Sequence, residues 1–233
     1  MGQNYGELAN VRGNRVTRPA VESDRPVTLV GPARVRKKDF DLATSRGEAV
    51  VAADGGAQNA MDFGRLPDLV IGDFDSFEPA GRLPAERLLR IDDQDTTDFE
   101  KCLERISAPL VIAVGFLGRR IDHSLAVLSA LAAHEPGRCL LVGGHDVVVH
   151  CPARLALDLP PASRVSLFPM VPLTARSEGL EWPVGGIDFA PAGRIGTSNR
   201  VTGAVVIEPA GPGMLLILPR KAFRPLLRGL GHG

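Results

Sequence analysis

Short runs of apolar, often β-branched residues recur through the first two-thirds of the chain, and several end just before an aspartate. The runs are Val27–Val30, Ala49–Ala53, Asp68–Ile71, Leu88–Ile91, Leu110–Val114 and Cys139–Val142. They are apolar on successive residues rather than on alternate ones, which predicts strands covered on both faces. Helical patterns lie between them. In Asp95–Ile106 the apolar residues Phe99, Cys102, Leu103 and Ile106 fall at i, i+3, i+4 and i+7, one stripe of a helix. Ile121, Leu125, Leu128 and Ala132 predict a similar stripe in Ile121–Ala133. This alternation specifies an α/β fold, with a mostly parallel sheet, flanking helices and right-handed crossovers, Rossmann-like in outline.

After about residue 150 prolines become frequent, at 152, 160, 161, 169, 172, 183 and 191. Short strands are expected at Leu155–Leu159, Val165–Phe168, Val201–Glu208 and Met214–Leu218. Glycine and proline punctuation between them fits a smaller C-terminal β-sandwich domain. The organisation expected is a loose N-terminal arm over 1–25, an α/β domain over 26–152 and the sandwich over 153–233.

Of the 233 residues, 44% are hydrophobic, enough for a real core. Basic and acidic side chains balance at 27 each, so no net charge draws the chain to nucleic acid or an anionic membrane. Cys102, Cys139 and Cys151 form no CxxC pattern and cannot all pair, which points to a reducing compartment. The polar start MGQNYGELANVRGNR lacks the apolar segment of a signal peptide, and no run approaches the roughly 18 apolar residues of a membrane span. A soluble, cytoplasmic protein is expected.

The aspartates carry the functional information. Asp54 ends one strand and opens Asp54-Gly55-Gly56. Asp73 and Asp75 follow the next strand, and Asp92, Asp93, Asp95 and Asp98 follow the strand ending at Ile91. Asp122 lies beyond the strand ending near Val114. In a parallel sheet these positions share one edge, the carboxyl ends of the strands, where open α/β sheets bind ligands. Carboxylates gathered in one crevice repel each other unless a cation is present. With no Cys or His cluster beside them, the cation expected is hard, Mg²⁺ rather than zinc. Asp73 and Asp75, two apart, would face the same way in extended backbone and share the ion. Arg119 and Arg120 supply phosphate-binding groups, and Gly55 and Gly56 permit close approach of an anion to a helix N-terminus.

Each element also has a plainer reading. Asp95 with Asp98 is also the pattern of a helix N-cap with a supporting acid, and Asp122 that of another cap. Asp54-Gly55-Gly56 alone is a common turn. His123 as a lone histidine is a poor metal ligand, and Trp182, the sole Trp, is expected in a core, with stacking on a cation as the alternative. Convergence at every strand end favours a metal–phosphate site. Neither a GxxxxGK[ST] loop, a GxGxxG fingerprint nor a GxSxG elbow is present.

Four segments in order resemble the motifs of the thiamine pyrophosphokinase family: Ala53-Asp54-Gly55-Gly56-Ala57, Pro67 to Ser76, Asp93-Gln94-Asp95-Thr96-Thr97-Asp98-Phe99, and Gly118-Arg119-Arg120-Ile121-Asp122-His123. Gly196-Thr197-Ser198-Asn199 resembles that family's thiamine-contacting segment. The resemblance implies an α/β catalytic domain followed by a β-sandwich, a homodimer with its site between subunits, and the reaction ATP + thiamine → AMP + thiamine diphosphate. It implies Mg²⁺ on Asp73, Asp75 and Asp98, which are also the catalytic residues. Gln94, Asp98, Ser198 and Asn199 would lie on the thiamine side. Asp54, Gly55, Gly56, Ser76, Thr96, Arg120, Asp122 and His123 would lie on the ATP side. Asp98 or Asp75 would accept the hydroxyl proton. The chain departs from the family where Gly118-Arg119-Arg120 replaces the usual Gly-Gly-Arg, giving a stiffer and more basic loop. Two other readings stay open on the same residues: a Mg²⁺-dependent pyrophosphohydrolase or nucleotidyltransferase acting on another alcohol, and a non-catalytic thiamine or nucleotide sensor.

Overall fold

The structure, a computed structural model, describes residues 18–75, 81–118 and 120–233. Most of the expected arm, together with Ser76 and Arg119, lies outside the described residues. In chain order the elements are β1 (Val21–Glu22), β2 (Val27–Val30), α1 (Lys37–Thr44), β3 (Val50–Ala53), α2 (Gly56–Asp62) and β4 (Leu69–Gly72). Then come β5 (Leu88–Arg90), α3 (Asp98–Arg105), β6 (Ile106–Ser107), β7 (Val111–Val114), α4 (Ile121–Ala133) and β8 (Cys139–Val142). The rest are β9 (Asp146–His150), β10 (Leu155–Leu157), β11 (Arg164–Pro169), β12 (Ala175–Leu180), β13 (Gly196–Pro209), β14 (Met214–Pro219) and α5 (Phe223–Gly229).

The fold is mixed α/β around one large sheet, ordered β10-β13-β11-β14-β9-β8-β7-β2-β3-β4-β5, with β12 on β13. From β8 to β5 all neighbours are parallel; from β8 through β9 to β13 they are antiparallel. The successive apolar residues of the parallel strands divide between two cores. Val30, Ile112, Val114, Leu140 and Val142 pack with Phe40 and Ala43 of α1 and Leu226 of α5. Val27, Leu29, Val51, Ala113 and Leu141 pack on the other face with Phe99 and Leu103 of α3 and Leu131 of α4.

The hydrogen bonding links the C-terminal strands to the parallel ones: β14 joins β9, and β9 joins β8, so the path runs unbroken. The 14-residue β13 serves two sets of partners, β11 along its first part and β10 and β12 along its second. The described end of the arm is docked, since β1 pairs in parallel with β6 and Ala20 N–H donates to Arg105 O at 2.8 Å. In α4 the buried side chains are Val127, Ala130 and Leu131, while Ile121 and Leu125 are 81% and 60% exposed. That helix is apolar nearly all round, so hydrophobicity offers several stripes. The observed one turns Val127, Ala130 and Leu131 to the sheet.

His150, at the end of β9, is buried. Its Nδ1 lies 2.7 Å from His134 O, and Gly213 N–H donates to its Nε2 at 2.6 Å, so the ring is held neutral with the proton on Nδ1. Burial holds its pKa below the ordinary histidine value, against the opposing pull of the His134 carbonyl. The unfolded chain takes up a proton as pH falls through about 6.5 while the folded chain does not, so stability declines from there downward. Thermal melts should fall more between pH 7.5 and 5.5 in the wild type than in His150→Asn. Equal slopes would rule out this assignment.

Candidate functional site

The parallel ladder continues one residue past β3, where Asp54 N–H donates to Ile71 O at 2.9 Å. Asp54 and Asp73 therefore sit at the ends of neighbouring strands, which lie only about 4.8 Å apart. Glycine at 72 makes this approach possible, because a Cβ there would stand 2.8 Å from the Asp54 Cβ. Asp54 itself turns at φ 39°, a conformation aspartate tolerates better than most residues. Among the described residues, Asp54, Asp73 and Asp75 bring carboxylate oxygens within 4.8 Å of one another, grading from buried through half-buried to exposed.

Asp73 and Asp75 do not converge through extended backbone. Phe74 lies at φ 63°, in the left-handed region, and Asp75 N–H donates to Asp73 Oδ1 at 3.3 Å. A phenylalanine in this conformation costs on the order of 1–3 kcal/mol. Its ring packs onto the small cluster of Ala52, Ala57, Val70 and Leu83, which offsets that cost. Burial would raise the pKa of Asp73, but the hydrogen bonds from Asp75 N–H and the Gln94 amide (3.4 Å), with the charge of Lys101, outweigh it and hold the carboxyl below its usual range.

The loop before α3 is built differently from the expected cap. Thr97, not Asp95, is the N-cap, and Glu100 completes the capping box. Glu100 N–H donates to Thr97 Oγ1 and Thr97 N–H to Glu100 Oε2. Asp95 and Asp98 are thereby released from capping. Asp98 occupies the first turn of α3 and pairs with Lys101, Nζ to Oδ1 3.2 Å, a lysine only 4% exposed. Thr96 Oγ1 donates to Asp93 Oδ2 at 3.2 Å.

Arg120 precedes α4 and pairs with Asp122; this guanidinium holds the Asp122 carboxyl below the usual carboxylate range. Arg120, not Asp122, holds the N-cap position of α4, and His123 is exposed. Gly56 has a packing explanation: a Cβ there would lie 2.0 Å from Val30 O, so α2 is pressed against the end of β2. From the same helix the Asn59 amide donates to Gly31 O and Ala33 O at 2.8 and 2.9 Å.

On the antiparallel side, Asn199 is buried and turned to its own scaffold. Its amide accepts from Trp182 N–H (3.2 Å) and Arg200 N–H (2.8 Å) and donates to Trp182 O (2.6 Å). Ser198 stands at φ 63°, with its N–H on Ser166 Oγ. Trp182 is 52% exposed, not core, and the Arg200 guanidinium lies 5.2 Å from its ring centroid. Asn199→Ala should cost roughly 1–3 kcal/mol, because three backbone groups lose their partner; denaturant titration would show it, and an unchanged midpoint would contradict the clasp.

Sequence reasoning placed Asp54 with the nucleotide rather than with the other two carboxylates, and missed Lys101 and Asn59. The signal for Asp54 was its position at a strand end beside glycine at 72; Lys101 was legible only as the residue one turn after Asp98.

Residues 40–141 match the family model of the thiamin pyrophosphokinase catalytic domain. That stretch, from α1 to β8, is similar to the catalytic domain of thiamine pyrophosphokinases. Thiamine pyrophosphokinase 1 of rice is 26% identical over 196 residues, covering 69% of this chain and 74% of the rice protein. Thiamin pyrophosphokinase 1 of Caenorhabditis elegans is 24% identical over 172 residues, covering 65% and 71%. The fold is similar to that of the thiamin pyrophosphokinase of Candida albicans, with a TM-score of 0.71 at 16% identity over 85% of this chain and 92% of that one. Yeast thiamin pyrophosphokinase gives 0.66 at 16% identity, covering 89% and 94%. No helix among the described residues is long and apolar enough to cross a membrane.

Proposed function

We propose that this chain transfers a pyrophosphoryl group from ATP to the hydroxyl of thiamine, releasing thiamine diphosphate and AMP. The observation that carries the reading is the convergence of Asp54, Asp73 and Asp75 at two neighbouring strand ends within the family-matched segment. Three carboxylates with no thiol or imidazole among them suit a hard cation, so Mg²⁺ fits the group. Asp73 and Asp75, with Asp54 in the same group, would hold Mg²⁺, with Asp98 as a further proposed ligand, and the ion would neutralise phosphate charge when bound. Asp98, steadied by Lys101, takes the proton of the thiamine hydroxyl. Gln94 orients Asp73 and lines the thiamine side with Ser198, whose turn is fixed by Ser166. Asp54, Gly55, Gly56, Thr96, Arg120, Asp122 and His123 form the ATP side, with the Arg120 guanidinium facing phosphate.

Residues 153–233 supply the thiamine-side segment as a functional unit, and the working form is a homodimer in the cytoplasm. Support for the pairing comes from the exposed apolar side chains of Ile121, Leu125 and Trp182. Protein incubated with thiamine, ATP and Mg²⁺ should release AMP in equal amount to thiamine diphosphate. ADP instead, or ATP cleavage that ignores thiamine, would overturn the reading.

A further inference from the structure

A second charged cluster lies on the same sheet edge, apart from the carboxylates. The chain order reverses at β2, which has β3 on one side and β7 on the other, and there the loops after β2, β7 and β8 enclose a cleft of about 820 Å³. Such a reversal is where an open α/β sheet leaves room for a ligand. Arg34, Arg36, Asp39 and His145 contribute to its lining. Asp39 is 4% exposed and is gripped by two guanidinium groups, Arg36 Nε at 2.6 Å and Arg220. Arg36 also donates to Gly144 O, and Arg220 N–H donates to His145 O at 2.8 Å. Three distant stretches of chain are thus tied at one point. One buried carboxylate against two guanidiniums leaves an excess positive charge in a chain whose overall charge is zero.

This arrangement fixes Arg36 without exhausting it. Two of its five N–H groups are engaged, one on Asp39 and one on Gly144 O, and the side chain is still 36% exposed at the cleft. A guanidinium whose orientation is set from behind is a strong bidentate phosphate ligand. The acidic group sits at the ends of β3 and β4, where it would hold the transferred phosphates, while Arg36 stands after β2, toward β7 and β8.

We propose that Arg36 binds the α-phosphate of ATP, the phosphate that leaves on AMP, and that Asp39 is its positioning residue. The inference rests on the reaction proposed above. As the thiamine oxygen bonds to the β-phosphorus, the bond from that phosphorus to the bridging oxygen breaks. The electron pair stays on the bridging oxygen, which leaves as part of AMP, and the hydroxyl proton goes to the carboxylate. Arg36 meets the negative charge that grows on the departing phosphate.

Calorimetry with AMP alone and steady-state kinetics test this together. Arg36→Ala should weaken AMP binding at least about tenfold and raise KM for ATP similarly, with KM for thiamine unchanged; Arg36→Lys should recover part of the loss. Asp39→Asn should weaken AMP binding while its melting temperature is followed in parallel. AMP affinity unchanged in Arg36→Ala, or a loss confined to melting temperature in both variants, would overturn the assignment. A wild-type protein that binds AMP through Arg36 yet forms no AMP from thiamine and ATP would support this site while removing the reaction proposed for it.

Discussion

Asp73→Asn should lower thiamine-dependent AMP formation on the order of 10³-fold, the scale of removing one preorganised electrostatic partner from a reacting phosphate. Asp73 is the hub of the acidic group. It stands within 4.8 Å of the carboxylates of Asp54 and Asp75, accepts Asp75 N–H, and accepts the Gln94 amide. Those donors hold it ionised, its pKa depressed despite burial, so at neutral pH it is ready for a cation. Asparagine keeps the volume and still offers an oxygen to Asp75 N–H, so the turn at Phe74 survives and stability changes little. What is lost is one negative charge, and the Mg²⁺ concentration needed for half-maximal rate should rise about 10–100-fold. If Asp73 served only to shape the turn, Asp73→Asn would keep full activity with the same Mg²⁺ dependence, and the metal–phosphate reading would fail.

Much of this site was legible because β-strands in a doubly covered sheet announce themselves by unbroken apolar runs. Once Ala49–Ala53 and Asp68–Ile71 are strands in one parallel sheet, the aspartates after them must share an edge. The means of convergence was not legible. Extended backbone predicts that Asp73 and Asp75 face the same way, but the structure reaches that result through Phe74 at φ 63°, and no local pattern marks a phenylalanine for that conformation. The Thr97–Glu100 capping box was hidden by the more conspicuous Asp95 and Asp98, two residues upstream of the true cap and its N3 partner respectively. The joining of the C-terminal strands to the parallel ones was out of reach as well. Proline frequency reports on turns and edges, not on which strand a neighbour will pair with, and β9, the strand that makes the join, lies at the proposed domain boundary. Helix α4 failed for a separate reason: with apolar residues on most sides, periodicity cannot say which face the sheet will take.

Gly56→Ala should destabilise the protein by more than about 3 kcal/mol and abolish activity with it, and the two opposing effects make this a sharp test. Helix propensity favours the change, since alanine in a helix is worth about 1 kcal/mol over glycine. Gly56 opens α2 at a φ that alanine also adopts, so nothing in the local conformation requires glycine. Space decides it. The new Cβ would lie 2.0 Å from Val30 O, 2.7 Å from Val30 C and 2.9 Å from Gly31 C. All three are backbone atoms at the end of a buried strand, and none can swing aside as a side chain would. Relief requires α2 to back away from β2, which exceeds the usual 1–3 kcal/mol of an overpacked core. The same displacement pulls on Asn59, whose amide ties the loop after β2 at Gly31 and Ala33. It also pulls on Asp54, two residues upstream, the buried member of the carboxylate group. Gly185→Ala is the matched control, for a Cβ there meets nothing within 4 Å and its φ is ordinary; it should stay within about 0.5 kcal/mol of the parent. Denaturation midpoints for the two variants would separate the effects. A Gly56→Ala protein as stable as the control would mean that α2 has room to move, and that the tight seat of Asp54 is not what places it beside Asp73.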